Sequence, residues 1–221
     1  MTLLPRPHPA RSVLEGRYAR LEPIGPQHAE TLYAACVGPD NAPRFDYLPD
    51  PQPTRIDDIR AWIDKVSASD DPLFFAVVDR ASGRCEGRQA LMRITPEHGV
   101  IELGSIYWGP AIARARVATE AFYLHARHAF DTLGYRRFEW KCNDRNAPSK
   151  RAAGRFGFTY EGLFRQHMWV KGASRDSAWY AMIDAEWPAI RSAFERWLDP
   201  GNFDPEGRQH NRLEVAAPAR G

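Results

Sequence analysis

One stretch constrains the chain more than any other. From Ala115 to Leu133, Val117, Ala121, Leu124, Ala129, Phe130 and Leu133 recur at helical spacing, and Gly134 follows where a glycine ends a helix. Arg116, Glu120, Arg127 and Asp131 fall on one stripe of the same helix, which predicts a solvated face. The helix is flanked by two strand-like runs, Val100 to Trp108 and Arg137 to Cys142. A long amphipathic helix between strands must lay its apolar face on a sheet, so the fold is layered.

The remaining segments extend that order. Arg17 to Ile24 alternates as a first strand and stops at Gly25-Pro26. Ala29, Leu32, Tyr33 and Cys36 have helical spacing. After Pro49, Pro51 and Pro53, the residues Ile56, Ile59, Trp62, Ile63 and Val66 mark a second amphipathic helix. Leu73 to Val78 is a short apolar run between turn residues, and Glu86 to Ile94 and Val100 to Trp108 complete a three-stranded meander. Beyond the long helix come the strand Arg137 to Cys142, a short helix over Asn146 to Arg155, and strands over Phe158 to Val170 and Ser174 to Ile183. Trp187, Ile190, Phe194, Trp197 and Leu198 mark a terminal helix. The expected class is α+β, or α/β layered: a mixed, mostly antiparallel sheet flanked by helices. Residues 14–198 read as one domain, with a flexible segment at 1–13 and a tail at 199–221.

Composition narrows the classes. The 221 residues are 43% hydrophobic and 26% charged, a globular mixture. Lys and Arg number 30 against 28 Asp and Glu, a net charge of +2, and the basic tail around Arg208 to Arg212 lacks a stacking surface, so no nucleic-acid partner is expected. Cys36, Cys85 and Cys142 show neither a disulfide framework nor zinc-ligand spacing. His125, His128 and His167 lack a ligand motif, so no metal is expected. Pro5, Pro7 and Pro9 interrupt the start, and no run reaches membrane-spanning length. No membrane association is expected, and the expected location is cytoplasmic.

Four stretches carry a resemblance. Arg44-Phe45-Asp46-Tyr47-Leu48-Pro49 precedes the second helix; Ile101 to Trp108 forms a strand; Ala118-Thr119-Glu120-Ala121 opens the long helix. Asn143-Asp144-Arg145-Asn146-Ala147-Pro148-Ser149 is followed by Phe156-Gly157-Phe158 and Glu161-Gly162. Together they resemble the RimJ/RimL branch of the GNAT N-acetyltransferases over almost all of Arg17 to Leu198, and the N-x-x-N-x-x-S run is the most specific of them.

The resemblance implies acetyl-CoA as cofactor and a primary amine as acceptor, either a protein N-terminus or a small molecule. It implies that the fourth and fifth strands of the family fold splay apart between Ser105–Trp108 and Trp140–Asn143, with the pantetheine arm in the gap. Backbone amides near Ile106, Tyr107 and Trp108 then face the thioester oxygen, since rigid donors suit a developing oxyanion.

Glu102, a carboxylate on an apolar strand, is the candidate general base; a strand-edge glutamate paired with an arginine explains it equally. Ser149 is the candidate proton donor to the departing sulfur, with Asn143 beside it in the motif. Asn146 before Ala147-Pro148 is a helix cap and a candidate pantetheine contact, and Ser149 is likewise explained by helix initiation.

The family's phosphate loop, R/Q-x-x-G-x-G/A, is altered here: Ala113 stands at its first position, Arg114 where a glycine is common, and Arg116 at the expected glycine. The expectation is an arginine-assisted phosphate site made of Arg114, Ala115, Arg116, Val117, Ala118 and Thr119 at a helix N-terminus, with Lys150 and Arg151 adding charge. Solvated arginines are the plain alternative. Phe45, Tyr47, Arg165 and His167 are candidate acceptor contacts. Two readings stand open: an acetyltransferase, or a non-catalytic acyl-CoA-binding or interaction protein whose glycine loop degenerated. Dimerisation is common in the branch, and the terminal aromatic helix offers a surface for a homodimer.

Overall fold

A computed structural model describes residues 4–215. The first three residues of the expected N-terminal segment and the last six of the tail lie outside the described residues. The chain forms two compact units, one of residues 8–94 and 103–126, the other of residues 95–102 and 127 onward with the N-terminal segment through Pro7.

The first unit holds β1 (Leu14–Glu15), β2 (Ala19–Pro23), β3 (Leu73–Asp79) and most of β4 (Arg84–Thr95), with α1 (Ala29–Cys36), α2 (Ile56–Ser67) and α3 (Arg116–Arg127). β1–β2, β2–β3 and β3–β4 are all antiparallel. The apolar spacing of α2 is used as expected: Ile59, Ile63 and Val66 are buried together with Leu32 of α1 and Phe74 of β3. At the start of α2, Asp58 accepts from the backbone N–H groups of Thr54 and Arg55 at 2.8 and 3.0 Å, which closes the proline-rich connection onto the helix.

Glu120 departs from the expected solvated stripe. It is 4% exposed, and its carboxylate accepts from the backbone N–H groups of Arg17, Tyr18 and Ala19 at 2.9, 2.5 and 2.7 Å. Three donors replace the lost hydration of a buried carboxylate, so the charge is tolerated where the amphipathic pattern alone predicts water. α3 passes into a single π-turn at His128–Thr132, and Gly134 follows with φ +69°, the left-handed conformation that a helix-ending glycine supplies.

The second unit holds β6 (Arg137–Asn143), α4 (Ala147–Arg155), β7 (Thr159–Val170), β8 (Ala173–Ile183) and α5 (Trp187–Trp197). β6–β8 and β7–β8 are antiparallel. Its core is aromatic: Phe130 stacks on Trp187, Phe138 on Phe158, and Phe156 packs on Trp140 and Phe194. The tail folds back on α5, where Trp197 donates to Gln209 at 2.9 Å and Leu213 is buried.

β5 (Val100–Trp108) runs from the second unit into the first, and the strands follow the order β1-β2-β3-β4-β5-β6-β8-β7, a mixed sheet flanked by helices. β5 and β6 are parallel over three residues, Val100↔Arg137, Ile101↔Phe138 and Glu102↔Glu139. Among the described residues no helix is long and apolar enough to cross a membrane.

Candidate active site

At the far end of β5, Ser105 has φ +50°, a left-handed residue inside a strand, which interrupts the simple alternation of faces. Tyr107 and Trp108 both commit their side chains inward. The Tyr107 hydroxyl donates to the Ala35 carbonyl at 2.7 Å and its ring packs on Phe45 at 4.9 Å, so Phe45 is a core residue rather than an open one. Trp108 Nε1 donates to Gln89 Oε1 at 3.0 Å. What Ile106, Tyr107 and Trp108 can offer a ligand is therefore mainly backbone.

The connection from β5 to α3 turns tightly, with the amides of Ile112 and Ala113 both bonded to the Gly109 carbonyl. Arg114 then adopts φ +64°, the conformation a glycine would take at that position. α3 begins at Arg116, with the Thr119 amide bonded to the Ala115 carbonyl at 3.3 Å, so the amides of Arg116, Val117 and Ala118 form the first turn, where a helix directs its N–H groups outward. Arg116 stacks over Tyr18 at 4.4 Å and, with Val117, lines a cavity of about 620 Å³ shared with Arg17, Tyr18, Asp79 and Arg80. Arg114 is exposed.

Glu102 is 2% exposed, and its carboxylate lies 2.9 Å from the ammonium of Lys141 on β6. Lys141 also meets Glu139 at 2.7 Å and sits 3.7 Å from the centre of the Trp179 ring. Glu139 in turn accepts from Arg137 at 2.7 Å, and Arg137 reaches Glu161 with both terminal nitrogens. Burial raises the Glu139 carboxyl, but the hydrogen bonds from Lys141 and Arg137 outweigh it and hold the group below its ordinary value. Three carboxylates and two cations thus alternate in one line.

The motif after β6 is tied up locally. Asn143 accepts from the Arg145 amide at 2.9 Å and Asn146 from the Ser149 amide at 3.1 Å, the expected cap of α4. The Ser149 hydroxyl receives Trp140 Nε1 at 3.0 Å and also reaches the Cys142 thiol. Lys150 is held by Asp144 at 2.7 Å, whereas Arg151 is exposed. Arg165 is exposed on β7, and His167 Nδ1 lies 2.9 Å from the Ser177 hydroxyl. Tyr47 is half-buried in the connection after Phe45. Within the second unit the structure brings Glu102 to Lys141 and Ser149 to Trp140. Within the first it gathers Arg114 to Thr119 at the head of α3 and Phe45 against Tyr107. Lys141 carries no motif in the sequence; its signal is the alternation with Glu139 on one strand, two positions apart and so on the same face, while Trp179, which reads as a core aromatic, meets its ammonium.

The acetyltransferase (GNAT) domain family matches residues 19–159. The chain is a GNAT acetyltransferase family member. It is similar to a GCN5-related N-acetyltransferase from Brucella melitensis, at 55% identity, 96% coverage of both chains and a TM-score of 0.93. It is similar to a probable GNAT acetyltransferase from Chromobacterium violaceum at 34% identity, covering 86% of this chain and 96% of that one with a TM-score of 0.78. A microcin self-immunity acetyltransferase, solved in complex with acetyl-CoA and AMP, shares the fold at 21% identity, 76% and 93% coverage and a TM-score of 0.67. No curated protein matches.

Proposed function

We propose that this GNAT protein, on the RimJ/RimL branch, moves the acetyl group of acetyl-CoA to a primary amine by direct attack in a ternary complex. The observation that carries the reading is Arg114. Standing where a glycine is common, it takes a left-handed backbone just before a helix N-terminus, which supports an anion-binding course for the loop despite its sequence. The amides of Arg116, Val117 and Ala118, with the Arg114 and Arg116 guanidiniums, hold phosphate there. Ala115 and Thr119 frame the turn.

Acetyl-CoA supplies the thioester carbonyl and a thiolate leaving group. Amides of Ile106 to Trp108 orient the carbonyl oxygen. Glu102 takes the acceptor's proton, directly or through water, and Lys141 fixes its carboxylate in place. Ser149 returns a proton to the sulfur, with Asn143 and Asn146 shaping the turn before it and Lys150 and Arg151 adding positive potential. Tyr47, Arg165 and His167 are the acceptor contacts in this reading, with Phe45 acting only as core support, and the acceptor is a protein N-terminal amine or a small amine. We assign the protein to the cytoplasm.

Calorimetric titration with acetyl-CoA, paired with a free-thiol assay over an amine panel, tests this. Binding with amine-dependent thiol release supports the enzyme. Binding without release on any amine supports the non-catalytic acyl-CoA-binding reading, which the engaged Glu102 and Ser149 favour. Absence of binding overturns both.

A further inference from the structure

Arg88 lies on β4, 4% exposed, with its guanidinium 4.1 Å from the centre of the Trp62 ring and 5.6 Å from that of Phe74. A charged group so deep in the cluster of α1, α2 and β3 demands partners for its fork of donors. One partner is present: Nη2 donates to Asp50 at 2.7 Å. Asp50 belongs to the Pro49–Pro53 connection ahead of α2 and is about one-third exposed, so the partner sits at the rim while the guanidinium lies beneath it. Nη1 is buried and has no hydrogen-bond acceptor among the described residues.

The surroundings are positive. Arg44, whose Nη1 donates to the Trp108 carbonyl at 3.2 Å, and Arg88 both act electrostatically on the Tyr107 hydroxyl. Two arginines therefore lie near the segment of β5 assigned above to the thioester, and Arg88 is paired there with Asp50. The strands are close at this point: a Cβ on Gly87 would lie 2.5 Å from the Tyr107 carbonyl oxygen.

We infer that Arg88 is a specificity-determining residue that recognises an anionic group, carboxylate or phosphate, on the acceptor amine. This rests on the acetyltransferase reading and deepens it by naming a substrate class. A guanidinium pairs best with a planar or tetrahedral oxyanion through two parallel N–H groups, and Asp50 takes only one of them. An oxyanion entering beside Asp50 completes the fork through Nη1. Trp62 holds the guanidinium plane, so little is lost in ordering it.

The full chain is titrated calorimetrically with acetyl-CoA first, and then, with coenzyme A present, with two matched pairs: β-alanine against n-propylamine, and O-phosphoethanolamine against ethanolamine. The expected result is binding of an acidic member about tenfold or more tighter than its neutral twin, the scale of a charge-assisted hydrogen bond. Which pair shows it distinguishes carboxylate from phosphate. Arg88→Met abolishes the preference while acetyl-CoA affinity holds. If Arg88→Met fails to fold, Asp50→Asn decides, since removing the competing rim carboxylate tightens the acidic member. Equal binding within both pairs, or a preference unchanged in the foldable variant, overturns the proposal. Failure to bind acetyl-CoA overturns instead the reading on which it rests.

Discussion

The side-chain amide of Gln89 donates to Nδ1 of His125 at 2.8 Å, with both residues 0% exposed. The direction is fixed from outside the pair. Trp108 Nε1 can only donate, so it must meet the Gln89 oxygen, which turns the amide nitrogen toward His125 and the Ala121 carbonyl. His125 Nδ1 is then an acceptor, and the ring is neutral with its proton on Nε2. Nitrogen chemical shifts of labelled protein should report that tautomer near neutral pH. Gln89→Leu, which removes its hydrogen bonds to the Trp108 and His125 nitrogens and to the Ala121 carbonyl, should destabilise the fold by about 1–3 kcal/mol in chemical denaturation.

Lys141 stands between Glu102 and Glu139. Lys141→Met leaves two buried carboxylates facing each other, and by analogy with broken buried pairs the loss should be about 3–5 kcal/mol. Adding Glu102→Gln to Lys141→Met should recover part of it, which a double-mutant cycle measures.

Glu139 gives the pH dependence a sign. Its folded carboxyl is held below the ordinary value of 4.5, so its contribution is present above the unfolded value and is lost as pH falls through the folded one. Stability measured from pH 7 downward should fall in the acid range below about 4.5, and Glu139→Gln should flatten that limb.

Glu102→Gln should lower kcat by about 10²–10⁴ if the carboxylate accepts the proton, with acetyl-CoA affinity unchanged and the acidic limb of the pH–rate profile lost. Unchanged turnover on a competent amine removes Glu102 from the mechanism.

Arg114→Gly separates backbone from charge. Glycine relieves the left-handed strain and should stabilise the fold by about 1 kcal/mol, while loss of the guanidinium weakens acetyl-CoA binding and its salt dependence. A variant that binds acetyl-CoA as tightly as the parent shows that the turn, and not the charge, holds the phosphate.

The element order was legible because periodicity is local: α1, α2, β3 and β5 fall where the apolar spacing puts them. The polar stripe on α3 misleads at Glu120, since spacing cannot show that the backbone of residues about a hundred positions earlier comes to meet it. The same holds for Glu102. Its cation comes from β6 through a parallel register that no local pattern encodes, and the partner is Lys141 rather than the arginine the sequence suggests. Arg114 reads in the sequence as a lost glycine; its left-handed backbone is visible only as a dihedral angle.

The three cysteines have a practical consequence. All are buried, and burial pushes the Cys36 thiol up to about 11 and Cys85 to about 12, so neither offers a thiolate near neutrality. A disulfide reagent added to the native protein should stay nearly colourless. Colour that develops on mixing with acetyl-CoA and an amine then counts turnovers, and colour that develops on heating alone counts unfolded chains, three equivalents for each.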